Sequence, residues 1–121
     1  MPTAQLFEIQ NNPQYSLVRF FGYVDADTVE KVKPALQEQI PAGCKQLIID
    51  LEKVEFLDSH GVGMFVSFLK RVHSNNGRLI IATPEGQPAS VLQMVGFNGP
   101  LVSFFENTQA ACDNCLMHNQ P

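Results

Sequence analysis

The run Gln46-Leu47-Ile48-Ile49-Asp50-Leu51 holds three successive apolar residues, two of them β-branched, without the strict alternation of a half-buried strand. That is the pattern of a strand buried on both faces, and it limits the fold more than any other stretch does. Such a strand belongs in the centre of a sheet whose two sides are both covered. Its neighbours in the chain supply the other parts. Upstream, Gln5 to Gly22 has the character of two strands separated by Asn11-Asn12-Pro13, a turn cluster that no strand interior holds. The second of them, Leu17 to Phe21, is apolar except for Arg19 and ends at Gly22. Asp27 and Glu30 have the spacing of a capping box, which predicts a helix from there to about Ile40, stopped by Pro41-Ala42-Gly43. Pro34 falls inside that helix and, at a cost of roughly 3 kcal/mol in an unkinked interior, predicts a kink or a later start.

Downstream, the chain passes through Val54 to Leu57 and enters a second helix near Ser59 that runs to about Asn75 and ends at Asn76-Gly77. Arg78 to Thr83 is a further apolar strand. Pro84 to Pro88 is a loop, with Pro88 suited to the first turn of a short helix, Ala89 to Val95, that stops at Gly96. Val102 to Phe105 forms the last strand, Asn107 or Thr108 caps a terminal helix, and Asn119-Gln120-Pro121 frays. The resulting order, β-β-α-β-α-β-α-β-α, excludes a bundle or a sandwich. The expected fold is α/β: one domain over residues 1–121, with its core at about 5–112 and a short tail over 113–121. A hairpin joins the first two strands and helices join the rest, so the sheet is mixed, with four to five strands and about four packed helices.

A hydrophobic fraction of 45% in 121 residues suffices for one core. The net charge of −4 provides no basic field for a phosphate backbone, which excludes nucleic acid as a partner and favours protein. The longest near-apolar run, Val62 to Leu69, is far short of the roughly 18 residues of a membrane span, and no positively charged apolar leader opens the sequence. A cytoplasmic protein without membrane insertion is expected, with Cys44, Cys112 and Cys115 reduced. Cys112, Cys115 and His118 have zinc-like spacing, but there is no second CxxC, so helix-end and tail thiols are expected rather than a metal site. No cofactor is called for.

Ser59 follows Asp58 and precedes His60-Gly61-Val62-Gly63 where a strand hands over to a helix. A serine there can cap the helix, and a phosphate there would meet helix amides and the positive end of the dipole. Phosphorylation would add about −1.5 to −2 charges beside Asp58, so the fold would tolerate it while an interface built over Ser59 would not. Local chemistry alone leaves cap and switch both open.

The longer pattern Ile49-Asp50-Leu51-x-x-Val54-x-Phe56-Leu57-Asp58-Ser59-x-Gly61-Val62-Gly63 resembles the central motif of the STAS domain of bacterial anti-sigma factor antagonists. Gly22-Tyr23-Val24-Asp25 resembles that family's G-x-x-D turn, and Leu92 to Phe97 with Phe104-Phe105 resembles its last helix and strand. The resemblance implies a phosphorylation-controlled binding switch in which Ser59 is the phosphoacceptor, Asp58 its acidic neighbour and Asp25 the facing acid on the same rim. It further implies a serine-kinase anti-sigma factor as partner, a phosphatase that resets the switch, and ATP and magnesium belonging to the kinase. The alternative is a stand-alone STAS scaffold subunit of a stressosome-like or membrane-transporter complex. His60 and Pro34 depart from the family pattern. His60 is either an exposed loop residue or, with an ordinary pKa near 6.5, a pH-sensing or phosphate-binding one.

Stepping about 100° per residue from Val62 places Val62, Phe65, Val66, Leu69, Val72 and His73 on one stripe of the second helix, with Met64 and Phe68 outside it on the side of Arg71. Met64 and Phe68 are therefore either the edge of a broad core face or, with Asp25, Asp58, Ser59, His60 and Gly61, part of a partner surface. An enzyme using Ser59 and His60 as nucleophile and base is disfavoured, because adjacent helical residues diverge by about 100° and no third member is evident.

Overall fold

The computed structural model describes residues 5–83, 85–97, 99–100 and 102–118. Pro84 and the expected fraying of Asn119 to Pro121 lie outside the described residues. Within them the order is β1 (Phe7–Asn11), β2 (Ser16–Val24), α1 (Ala26–Gln39), β3 (Gln46–Leu57), α2 (Ser59–Ser74), β4 (Arg78–Ala82), α3 (Gln87–Met94), β5 (Val102–Phe105) and α4 (Thr108–His118). The five strands lie in one sheet in the order β1-β2-β3-β4-β5, so the doubly buried run is its centre, as its composition requires. β1 and β2 form the hairpin, closed by the Asn12 side chain accepting from the Gln14 and Tyr15 amides at 2.8 and 2.9 Å. Every other pair is parallel.

Because β2 to β5 are laid down in one direction with right-handed crossovers, their connecting helices collect on a single face. That face holds the larger core. Val18, Phe20 and Val24 of β2 and Leu47, Ile49, Leu51, Val54 and Leu57 of β3 meet Val32 and Leu36 of α1, Phe65, Phe68 and Val72 of α2, and Leu92 of α3. The opposite face holds Leu17, Ile48 and Ile80, covered by Ala111 and Cys115 of α4. The one acid in the apolar run is fully engaged. Asp50, 1% exposed, accepts from Arg19 Nε at 2.6 Å and from the Glu52 amide at 2.9 Å, while Arg19 also pairs with Glu8. This pairing sits where the β2–β3 register shifts between Arg19 and Phe21.

Several expectations are corrected. The cap of α1 is Asp25, whose carboxylate accepts from the Thr28 amide at 3.2 Å, and Asp27 instead pairs with Lys31 at 3.1 Å. α1 is continuous through Pro34 and starts early. Pro34 is exposed, and Glu30, whose carbonyl loses a donor to it, is exposed as well, so water can replace the bond. Both β2 and β3 run further than their apolar cores. α4 also carries the packed chain beyond residue 112, because Cys115 is fully buried and Asn107 Oδ1 caps the helix by accepting from the Ala110 amide at 2.8 Å.

The phase of α2 differs too. Its buried residues are Gly61, Met64, Phe65, Phe68 and Val72, while Val62, Val66 and Leu69 are half-buried flanks and His73 is exposed. Gly61 explains the rotation. A β-carbon there would lie 2.8 Å from Val24 Cγ1 and 3.1 Å from the Val24 carbonyl oxygen, so the helix comes closest to the sheet through this glycine. The packed line then follows at i+4, i+7 and i+11. A residue without a side chain adds nothing to a hydrophobic pattern, which is why phasing from Val62 misplaces the face. Among the described residues no helix is long and apolar enough to cross a membrane.

Candidate functional site

β2 and β3 end side by side, with Val24 paired to Leu57, and each then turns into a helix through an aspartate. Asp25 and Asp58 thereby stand at the same edge of the sheet, where the parallel strands present their C-terminal ends. The Asp58 amide donates to the Val24 carbonyl at 3.2 Å, which extends the β2–β3 ladder by one bond and ties the two turns together. At the Asp25 turn, buried Thr28 donates its hydroxyl to the Tyr23 carbonyl at 3.0 Å, so the cap is anchored in the strand as well.

Ser59 is the first residue of α2 and not its cap, contrary to one of the two roles expected of it. Asp58 caps the helix, with Oδ1 accepting from the His60 amide at 2.9 Å and the Gly61 amide at 3.2 Å. Two orphan amides are satisfied by one carboxylate, which also places a negative charge at the positive end of the helix. The Ser59 side chain is exposed and takes no part in the cap. His60, with 62% of its side chain exposed, turns its Nδ1 toward Asp58 Oδ2 at 3.4 Å. The imidazole thus addresses the aspartate and is not hydrogen-bonded to the serine. Asp25, Asp58, Ser59 and His60 form an exposed or half-exposed rim, and Gly61 is the buried floor on which the first turn rests.

Met64 and Phe68 do not belong to this surface. Each is 4% exposed and packed in the larger core, which overturns their candidacy as the apolar centre of a partner contact. Arg71, expected beside them, reaches back to the end of α1, donating to the Ile40 carbonyl at 2.8 Å. Cys112 is half-exposed on α4 and Cys115 is buried three residues on, with burial pushing its thiol up to about 11. The His118 side chain lies outside the described residues. Cys44, Cys112 and Cys115 are free thiols, and among the described residues no group of His, Cys, Asp and Glu is arranged to hold a metal.

Three further features complete the site, and composition does not reveal their roles. Gly63 is exposed, with nothing among the described residues within 4 Å of the position a β-carbon would take, and it lies one helical turn beyond Ser59. Tyr23 and Phe56, paired across β2 and β3 one step before Val24 and Leu57, stack at 5.5 Å between ring centres although they are 59% and 42% exposed. Gln87, the first residue of α3, holds the backbone of Leu57. Gly63, Tyr23 and Phe56 lie within the motif stretches, but their exposure becomes apparent only once the strands are known to extend past their apolar cores and α2 is correctly phased.

Comparison with known proteins gives a consistent picture. The STAS domain family model matches residues 7–111. The anti-sigma F factor antagonist of Lysinibacillus sphaericus is 32% identical over 85 residues, which span 69% of this chain and 72% of that protein. Among solved structures, the anti-sigma factor antagonist SpoIIAA in its unphosphorylated form superposes with a TM-score of 0.71 at 23% identity, covering 92% of this chain and 97% of that one. The Bacillus cell fate determinant SpoIIAA in the phosphorylated form superposes with a TM-score of 0.70 at 25% identity, covering 89% and 97%.

Proposed function

Since this chain belongs to the STAS domain family, among the anti-sigma factor antagonists, we propose that it is a protein-binding switch whose state is set by phosphorylation of Ser59. In the unmodified state the rim of Asp25, Asp58, Ser59, His60 and Gly61 is held by an anti-sigma factor with serine-kinase activity. Transfer of the γ-phosphoryl group of ATP to the Ser59 oxygen releases ADP and loosens the complex, and a phosphatase returns the serine by hydrolysis. ATP and magnesium are brought by the kinase.

The observation that carries this reading is the division of labour at the start of α2. Asp58 does the capping, so the exposed Ser59 hydroxyl is available for modification without loss of the helix start. A phosphate there sits at the positive end of α2, which favours it within the fold. It also brings about −1.5 to −2 charges to a rim already lined by two carboxylates, which a bound acidic or apolar surface would not accept. SpoIIAA, solved in unphosphorylated and phosphorylated forms, shows that a chain of this fold exists in both states. Gly63 adds support: an exposed glycine inside a helix costs roughly 1 kcal/mol relative to alanine, and no contact among the described residues requires it, whereas a partner backbone approaching Ser59 along the helix would.

The test is incubation with ATP and candidate serine-kinase anti-sigma factors from the same genome, with phosphate mapped by mass spectrometry. Modification confined to Ser59, lost in Ser59→Ala, is expected. Phosphate elsewhere, or none with any candidate, refutes the reading.

A further inference from the structure

β4 pairs with β3 only from Gln46 to Asp50, yet β3 continues to Leu57. Past Asp50 the β4 side of β3 has no neighbouring strand among the described residues. At Leu57, the residue immediately before the Asp58 cap, that gap is filled by a side chain. Gln87 Oε1 accepts from the Leu57 amide at 2.8 Å and Gln87 Nε2 donates to the Leu57 carbonyl at 2.9 Å. A carboxamide carries a donor and an acceptor in one plane, as a peptide group does, so Gln87 stands in for one residue of the missing strand. On the other side of β3 the next amide, that of Asp58, bonds to Val24. The end of β3 is therefore gripped from both sides.

We propose that Gln87 is a positioning residue for the Ser59 site, linking α3 to the start of α2. Three contacts form the chain of transmission. Gln87 fixes the Leu57 backbone; the Leu57 side chain, 1% exposed, lies against the Gly61 position; and Asp58, next along the backbone, holds the His60 and Gly61 amides. Ser59 lies between these anchored residues and makes no cap bond of its own, so its place is dictated by theirs. The Gly61 position is closely packed, since even a methyl group there would meet the Leu57 side chain, the Val24 side chain and the Val24 carbonyl. A shift at Leu57 is thereby passed to the first turn of α2. Gly86 caps α3 without a side-chain hydrogen bond and Pro88 follows, so the Gln87 amide group is committed to β3 and not to its own helix end. That Ser59 is the group so positioned for phosphate transfer rests on the switch proposed above; the mechanical link to residues 58–61 does not.

Gln87→Met preserves length and packing while removing both hydrogen bonds. Backbone amide exchange and NMR chemical shifts on the full chain give the readout. Exchange at Leu57 is expected to rise about tenfold, the loss of roughly one hydrogen bond, while Ile48, Ile49 and Ile80 in the middle of the sheet keep their protection. The amide resonances of Ser59, His60 and Gly61 are expected to move. Gln87→Glu, which keeps an acceptor for the Leu57 amide, restores part of the protection. With a kinase partner, initial phosphate transfer to Ser59 falls about tenfold in Gln87→Met. Unchanged exchange at Leu57, or unmoved resonances at residues 59–61, overturns the positioning role, as does transfer at the wild-type rate once the resonances have moved. Absence of transfer to either protein refutes the switch and leaves the exchange data to decide Gln87.

Discussion

At Ser59 and Asp58 neighbouring residues have separable duties, and substitution separates them. Ser59→Ala removes an exposed hydroxyl that supports nothing, so unfolding in denaturant is expected to change by less than about 0.5 kcal/mol. Asp58→Ala strips two amides of their acceptor and is expected to cost about 1–2 kcal/mol in the same measurement. Ser59→Asp keeps the fold but is expected to weaken partner binding by roughly 1–3 kcal/mol in calorimetry; unchanged affinity would remove the switch at its centre. The sequence marked the strand-to-helix turn at Asp58 and Ser59 but not which of the two caps the helix. Asp58 and Ser59 are both good capping residues, and only the backbone decides which one stands outside the first helical turn. Asp25 and Asp27 pose the same ambiguity, and there too the earlier acid is the cap.

On α2 the two glycines behave oppositely, which gives a paired test. Gly61→Ala drives a methyl group into Leu57 and Val24 and is expected to destabilise by about 1–3 kcal/mol. Gly63→Ala meets open space in a helical backbone and is expected to stabilise by about 0.5–1 kcal/mol while reducing partner affinity. Higher melting temperature with unchanged affinity would exclude this face of α2 from the interface. The kind and order of every element were legible because the apolar runs and their turn residues are distinct. Phase was not, since Gly61 sets it silently and thereby places Met64 and Phe68 inside. Nor were the ends of β2 and β3, where Tyr23 and Phe56 add length to the ladder without adding burial. Gln87 was beyond reach for another reason: its partner is 30 residues away and is a backbone group, which leaves no trace in local composition.

Across the whole molecule, two cores of unequal size flank one sheet, and the smaller depends on α4. Cys115 lies in it with its thiol raised from 9.0 to about 11 by burial. The folded chain keeps a proton that the unfolded chain releases, so stability is intact below pH 9 and declines as pH rises toward about 11. Denaturant midpoints at pH 8.5 and 10.5 are expected to fall further for the native chain than for Cys115→Ala, where this contribution is absent; equal declines would show that Cys115 is not the source. Alkylation at pH 8 should reach half-exposed Cys112 well before buried Cys44 and Cys115.

The sheet order also governs the sequence of assembly. Each strand is hydrogen-bonded to the one synthesised just before it, and no strand waits for a later one to be inserted between itself and its predecessor. A chain leaving the ribosome can therefore add strands one at a time, with a single crossover helix spanned at each parallel step. By Ser74 the paired ends of β2 and β3 and the whole of α2 have emerged, and Ser59 is already present at its rim. Gln87 emerges only afterwards. The residues of the rim thus precede in synthesis the one that, in the folded chain, holds the end of β3.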